Sequence, residues 1–295
     1  VEILYLLNPT VGANDLVVGA WKADPNSLSD AGESYVFWGP LVNGVGYNVS
    51  TANVTFFGAK SQSITTGAGG SVGVGDINND KIDDIVVGRS TATEVNTNDG
   101  ITYVLYGPFN TQDAEINLSS ANITYYGNAS QIRSGSSNAV KDINNDGIND
   151  LLIGAVFAGL PNNNGELYIL YGPLTYSFST FVLQDKANIT FSHFGNPGDG
   201  SFGSAAGVGD LNNDGANDLA VGAKTADQTI QVDLGKTFVY YGSYQLNENY
   251  NLMINKKGRA VASFTDPSQK GVAVQSNLTI NTSGFTFLVA TFNGT

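Results

Sequence analysis

Cysteine is absent from the 295 residues, which removes disulfides, thiol nucleophiles, thiolate zinc sites and iron–sulfur clusters together. Charge is scarce: Asp, Glu, Lys and Arg make up 13% of the chain, about half the usual share, so this is not a charge-dense disordered segment. Basic residues are scarcest, 13 against 26 acidic, for a formal charge of −13. Neutralising nucleic-acid phosphate or an anionic membrane surface takes clustered Lys and Arg, so neither partner is expected. The single histidine, His193 in Ser192-His-Phe-Gly195, reads as structural or surface, since no Ser-His-Asp set can be picked with it from two dozen acids. Long apolar runs are missing too. The longest, Leu151 to Leu160, has ten residues, about half of what a bilayer-spanning helix needs, and no membrane span is expected. The chain opens on the strand-like Val1-Glu-Ile-Leu-Tyr-Leu-Leu7 with no initiator Met or signal segment, and reads as a mature or partial chain.

What is present is apolar and glycine-rich: 41% apolar residues, 15 Phe, 14 Tyr and 36 Gly, enough for one large core or two ordinary ones. Self-comparison then organises the whole chain. Asp76-Ile-Asn-Asn-Asp-Lys-Ile-Asp-Asp84, Asp142-Ile-Asn-Asn-Asp-Gly-Ile-Asn-Asp150 and Asp210-Leu-Asn-Asn-Asp-Gly-Ala-Asn-Asp218 align without gaps, 66 and 68 residues apart. Each is followed by an apolar run ending in Gly (Gly88, Gly154, Gly222) and then by a second run closing on an aromatic and Gly (Tyr106-Gly107, Tyr171-Gly172, Tyr241-Gly242). A weaker upstream copy keeps Gly12-Ala-Asn-Asp15-Leu-Val-Val-Gly19 and Trp38-Gly39 but loses most of the acidic loop; a downstream one keeps only Gly284 and an apolar run.

Between these punctuators lie Val-, Ile-, Tyr- and Phe-rich runs of four to seven residues bounded by Gly, Asn, Asp and Pro, which is strand chemistry. No window of 12 or more residues has helical apolar spacing free of Gly or Pro. The second copy reads as four strands, Ser71 to Asp76, Asp84 to Gly88, Ile101 to Gly107 and Asn122 to Gly127. A four-stranded unit of 66–69 residues is a propeller blade; tandem sandwiches would need seven or more strands each. The expected fold is all-β, a β-propeller of four full repeats and a partial fifth within a single domain 1–295, with blades at about 1–60, 61–130, 131–200, 201–268 and 269–295.

The acidic loops have a chemistry of their own. In Asp-x-Asn-x-Asp-Gly-x-x-Asp, oxygens at positions 1, 3 and 5 converge, a Gly at 6 permits the turn, the carbonyl at 7 points inward and a carboxylate at 9 closes the shell. Oxygen-only ligands select a hard cation, calcium before zinc or copper. The expected ligands are Asp76, Asn78, Asp80, Ile82 and Asp84; Asp142, Asn144, Asp146, Ile148 and Asp150; and Asp210, Asn212, Asp214, Ala216 and Asp218, about three ions in all. An EF-hand is excluded, because strands replace its helices and no Glu closes the loop. The alternative is a metal-free Asx-rich turn, which three loops in register disfavour.

With these residues in hand the chain resembles the FG-GAP repeats of integrin alpha-subunit N-terminal propellers and their prokaryotic relatives. The fullest copy is Phe202-Gly-Ser-Ala-Ala-Gly-Val-Gly-Asp-Leu-Asn-Asn-Asp-Gly-Ala-Asn-Asp-Leu-Ala-Val-Gly-Ala223, followed by Lys236-Thr-Phe-Val-Tyr-Tyr-Gly242. The resemblance implies a calcium-stabilised extracellular propeller used in adhesion or ligand binding. This chain departs from it in several places. The Pro of Gly-Ala-Pro is Trp21, Ser90, Val156 and Lys224, the Phe-Gly start reads as Gly69-Gly70 and Ser134-Gly135 in two copies, and Lys81 replaces the loop glycine. Integrin propellers have more blades than these four and a half repeats, and no inserted ligand-binding domain is visible.

The partial fifth unit, strands Gly271 to Gln275 and Phe285 to Phe292, leaves an edge that needs covering. Either the natural chain continues, or another subunit completes the sheet by strand addition through Val1 to Leu7 or the C-terminal strands. Nine Asn-x-Ser/Thr sequons occur, at Asn48, Asn53, Asn117, Asn122, Asn128, Asn188, Asn277, Asn281 and Asn293. Those in Ala52-Asn-Val-Thr, Ala121-Asn-Ile-Thr and Ala187-Asn-Ile-Thr recur at the repeat spacing and are expected to decorate the outer strand of successive blades, against the alternative of a merely polar strand face. Trp21 and Trp38 either line a carbohydrate site or fill a blade. The leading function is a non-enzymatic, glycosylated extracellular protein that binds a protein or glycan ligand at the cell surface, or a subunit of a surface filament or layer. The rivals are a secreted polysaccharide- or lipid-acting hydrolase or lyase and a lectin-like module.

Overall fold

The computed structural model describes residues 2–4, 15–58, 68–109, 115–159, 164–192, 201–226 and 235–242, together with the backbone of three later strands between 250 and 279. The chain divides into two compact units, Val1–Gly242 and Ser243–Thr295.

The first unit is built from antiparallel sheets, one per repeat. The first sheet runs β1 (Glu2–Leu4), β2 (Asp15–Ala20), β3 (Glu33–Phe37) and β4 (Val54–Phe57). The second contains β5 (Ser71–Gly75), β6 (Asp84–Arg89), β7 (Ile101–Leu105) and, after a short strand β8 (Glu115–Asn117) that leaves it, β9 (Ile123–Tyr126). The third has β10 (Ser134–Lys141), β11 (Asp150–Ala155) and β12 (Glu166–Leu170); the chain then departs through β13 (Ser179–Val182) and returns as β14 (Ile189–Ser192). The fourth holds β15 (Phe202–Gly209), β16 (Asp218–Ala223) and β17 (Lys236–Tyr240). The single α-helical turn among the described residues is Leu183–Lys186. This is the all-β, β-propeller architecture that the repeat implies.

The cores lie between consecutive sheets, and the period-2 geometry of the strands explains how. On β6, Ile85 and Val87 face the first sheet, packing with Val17, Val36 and Phe56, while Val86 faces the third. On β11, Leu151 and Ile153 face the second sheet and Leu152 the fourth, where it meets Leu219 and Val221. A strand sandwiched on both faces reads as a continuous apolar run rather than an alternating one, so every residue of β6 and β11 is buried. The longest apolar stretch of the chain therefore begins as a central strand, and among the described residues no helix is long and apolar enough to cross a membrane.

Glycines set how closely the sheets approach. A Cβ on Gly19, Gly88 or Gly154 would stand 2.0, 2.2 or 2.0 Å from the carbonyl oxygen of Gly69, Gly135 or Gly203 in the next sheet, and these partners have φ of +83°, +77° and +81°. Backbone meets backbone, so both positions must lack a side chain. This contact also corrects the register of the second copy: its equivalent of Phe202-Gly203 is Ala68-Gly69, not Gly69-Gly70, because Gly69 makes the left-handed turn against Gly19. Phe202 and Ala68 are fully buried and Ser134 occupies the same place, so the side chain there varies while the glycine after it does not.

Two features differ from a plain four-stranded blade. β8 pairs in parallel with β4, and β13 pairs in parallel with β9. The segment between the third and fourth strands of one repeat thus becomes a fifth strand on the preceding sheet. The strand expected to pair between subunits, Val1 to Leu7, has a partner within the chain over Glu2–Leu4, which pairs with β2. It takes the place that β5, β10 and β15 hold beside β6, β11 and β16.

In the second unit, β18 (Tyr250–Ile254) pairs antiparallel with β19 (Arg259–Asp266), and β19 with β20 (Gln269–Thr279). The expected strand Gly271 to Gln275 falls within β20, and Phe285 to Phe292 lies outside the described residues.

Candidate metal centre

The three acidic loops fold alike, each between the first and second strands of its sheet. In the first, Asp76 Oδ1 and Asn78 Oδ1 both accept from the amide of Asp80, at 3.0 and 2.9 Å, so two hard oxygens face one point. Asp76 Oδ2 accepts from Lys81 N, and Asp80 Oδ1 from Ile82 N, both at 2.8 Å. The same bonds recur from Asp142, Asn144 and Asp146 to the amides of Asp146, Gly147 and Ile148. They recur again from Asp210, Asn212 and Asp214 to those of Asp214, Gly215 and Ala216.

Left-handed backbone makes the turn possible. Position 4 is Asn in each loop (Asn79, Asn145, Asn213) at φ near +60°, a conformation Asn tolerates, and position 6 is Lys81, Gly147 or Gly215 at +72°, +88° and +87°. The backbone of Lys81 follows the same path as the glycines, with the side-chain strain that the loop glycine avoids.

The position-nine carboxylates behave differently from the rest. Asp84, Asp150 and Asp218 are fully buried. One oxygen of each accepts from the amide of Ile77, Ile143 or Leu211 inside the loop, at 2.9, 2.9 and 2.7 Å. The other accepts from the amide of Gly107, Gly172 or Gly242 at the end of the third strand. Position nine therefore braces the loop against the aromatic-Gly corner. Burial pushes the Asp84 carboxyl up to about 7 and that of Asp150 up to about 6, against the opposite pull of these amides.

Sequence reasoning missed three related residues. Asp15 makes the corner half of that brace in the degenerate first repeat, buried and accepting from Gly39 N at 2.7 Å; its signal was the Asp-apolar-run-aromatic-Gly spacing that survives there. Position eight ties the loops together in series. Asn149 Nδ2 donates to Asp76 O at 3.1 Å, and Asn217 Nδ2 to Asp142 O at 2.6 Å.

The donor set is oxygen-only and suits a hard cation. The structure brings the side-chain oxygens of positions 1, 3 and 5, the ones that could hold such an ion, onto one turn. It does not gather them into a closed cage, because among the described residues no three His, Asp or Glu side chains converge to hold an ion.

The sequons fall in two structural roles. Asn53, Asn122 and Asn188 use Oδ1 to accept from the amides of Trp38, Tyr106 and Tyr171, at 2.9, 2.8 and 2.8 Å, clamping the start of the fourth strand to the end of the third. Asn48 and Asn117 cap 3-10 turns by accepting from Ser50 N and Ser119 N. Asn128 is exposed, the side chain of Asn277 is not described, and Asn281, Asn293 and His193 lie outside the described residues. Trp38 packs on the core between the first two sheets. Trp21 is over a third exposed, with Lys22 Nζ 4.7 Å from its ring centroid.

The recurring loop, brace and glycine contact coincide with a known repeat. The FG-GAP repeat family matches residues 68–105, 134–170 and 202–240. The chain carries three FG-GAP repeats. Their bounds begin at the residue before the left-handed glycine of β-sheets two to four and end at the close of each third strand. Among similar curated proteins, the phosphatidylinositol-glycan-specific phospholipase D of Rattus norvegicus is 35% identical over 153 residues, 50% of this chain and 18% of that protein. Integrin alpha-8 of Gallus gallus is 39% identical over 111 residues, 35% of this chain and 10% of that protein. Integrin alpha-3 of Cricetulus griseus is 35% identical over 112 residues, 37% of this chain and 9% of that protein. The chain thus spans less than a fifth of the length of these relatives.

Proposed function

We propose that the chain is a calcium-stabilised, glycosylated extracellular FG-GAP propeller that binds a protein or glycan ligand at a cell surface and self-associates by strand addition. The observation that carries the calcium reading is the threefold repetition of one loop geometry, in which oxygens of positions 1 and 3 face a single point within 3.2 Å of the position-five amide. Asp76, Asn78 and Asp80, with their counterparts in the next two loops, would hold the ions, and the Ile82, Ile148 and Ala216 carbonyls would add to the shell. A dication would offset the repulsion within each acidic loop and stiffen the corner that Asp84, Asp150 and Asp218 brace. The integrin alpha relatives support a binding role and an extracellular setting. Exposed Asn128 and the turn-capping Asn48 are the sequons best placed for glycan attachment.

The test is a thermal melt of metal-stripped protein titrated with calcium and then magnesium. A calcium-selective rise in Tm that is lost when Asp146 and Asp214 become Ala supports the reading; no response to either ion overturns it. The relatives named phosphatidylinositol-glycan-specific phospholipase D favour a second reading, a lipid-acting enzyme. Turnover of a glycosylphosphatidylinositol substrate by the purified chain would establish it.

A further inference from the structure

Position one is the fixed end of each of the first two acidic loops. Asp80 and Asp146 at position five are exposed, whereas Asp76 and Asp142 are half-buried directly after a first strand. The peptide unit that follows each of these two aspartates is held at both edges. In the first loop, Ile77 N donates to Asp84 Oδ2 at 2.9 Å, within its own repeat, while Asp76 O accepts from Asn149 Nδ2 at 3.1 Å, in the next repeat. In the second, Ile143 N donates to Asp150 Oδ2 at 2.9 Å, and Asp142 O accepts from Asn217 Nδ2 at 2.6 Å. A planar peptide pinned by both its N–H and its C=O cannot turn. With the strand holding the peptide before it, the direction of the Cα–Cβ bond of Asp76 or Asp142 is set. Further bonds double each tie. Leu174 N, just past the Gly172 corner that Asp150 braces, donates to Ile77 O at 2.9 Å. Asn217 N donates to Asn145 Oδ1 at 3.1 Å, so the third loop grips the second at positions one and four.

We propose that Asn149 and Asn217 are positioning residues for the ion of the preceding repeat, Asn149 for the Asp76–Asp84 loop and Asn217 for the Asp142–Asp150 loop, a role that rests on the calcium reading above. Neither is among the ligands of that reading, and the amide nitrogen each one uses is a donor that offers a cation nothing. Their action is through order. A carboxylate whose backbone is held before the ion arrives need not be ordered by it, so binding costs less conformational entropy. Each of these two sites is therefore completed from the repeat after it. Carboxylates of adjacent loops also act on each other through charge, but asparagine is neutral. Its removal changes the geometry of the neighbouring loop and leaves the charge of both loops as it was.

Chains with a single working loop separate a residue's effect on its neighbour from its effect on its own loop. Asp146→Ala with Asp214→Ala leaves the first loop, and Asp80→Ala with Asp214→Ala leaves the second, in which Asn149 itself lies. Adding Asn149→Ala is expected to raise the calcium Kd of the first-loop chain about threefold to tenfold, the weight of one hydrogen bond. In the second-loop chain the same change is expected to stay within about twofold, whereas Asn217→Ala there is expected to raise Kd by about threefold to tenfold. An Asn149→Ala effect as large on its own loop as on the first, or no effect on the first, overturns the assignment. So does a lower metal-free Tm with an unchanged Kd, which makes the bond a structural one only. If the one-loop chains do not fold, Asn149→Ala in the otherwise unaltered chain is expected to weaken one of the bound ions in isothermal titration, and unchanged affinities overturn the assignment. An unaltered chain that binds no calcium overturns the calcium reading itself and this role with it.

Discussion

Gly154→Ala puts the stacking of the sheets to a quantitative test. The new Cβ would lie 2.0 Å from Gly203 O and 2.4 Å from Ser137 Oγ. The serine hydroxyl can rotate, but it would then give up its 2.7 Å bond to Gly203 O. The carbonyl belongs to backbone held at φ +81°, so the third and fourth sheets must separate by roughly an ångström across the contact of Leu152 and Leu167 with Val221. Overpacking of this kind costs about 1–3 kcal/mol and loss of the buried hydrogen bond about another 1 kcal/mol. Together these amount to about 2–4 kcal/mol, or a fall in Tm of roughly 5–15 °C for a unit of this size. Gly207→Ala is the control. No heavy atom lies within 4 Å of its Cβ, and the third repeat already carries Ala139 there, so stability is expected to stay level or rise by about 0.5 kcal/mol. The assay is thermal unfolding of both variants beside the wild-type chain. Equal responses at the two glycines, or a Gly154→Ala melt within about a degree of wild type, would refute backbone-on-backbone stacking as the reason for the motif.

Leu152 is fully buried between the third and fourth sheets, and Leu152→Ala is expected to cost about 2–5 kcal/mol in denaturant unfolding. Asp150→Asn keeps the shape of the brace but sets an amide NH2 against either Ile143 N or Gly172 N, both of which the carboxylate now accepts. The expected loss is about 1–3 kcal/mol, and a variant as stable as wild type would show that the brace is not needed. Lys81→Gly removes a side chain from left-handed backbone, relieving about 1 kcal/mol of strain. It also removes a cation from the acidic loop, so calorimetry is expected to show tighter calcium binding at the first loop.

Much of this architecture was legible because the repeat imposes it. Strand positions follow from Gly- and Asx-bounded apolar runs, and β5, β6, β7 and β9 fall within a few residues of their expected bounds. The acidic loop was legible because its spacing fixes its turn. What escaped depends on contacts between repeats. Glu115-Ile-Asn and Ser179-Thr-Phe-Val carry no period of their own, and only the neighbouring sheet edge makes them strands. The role of Asn149 and Asn217 is set by a carbonyl more than 70 residues away. The Ala-Asn-x-Thr recurrence has a structural cause beside any glycan, since the asparagine clamps two strands together. The start of the second repeat was misread by one residue because its aromatic is replaced by Ala68, leaving two adjacent glycines and no side-chain landmark.

Calcium stoichiometry tests the central claim most directly. Isothermal titration of the metal-stripped chain is expected to show three ions bound, one per intact loop, and two when Asp142 and Asp146 are both replaced by Ala. No heat of binding, or a stoichiometry unchanged by removing those carboxylates, would contradict the assignment of the loops as calcium sites.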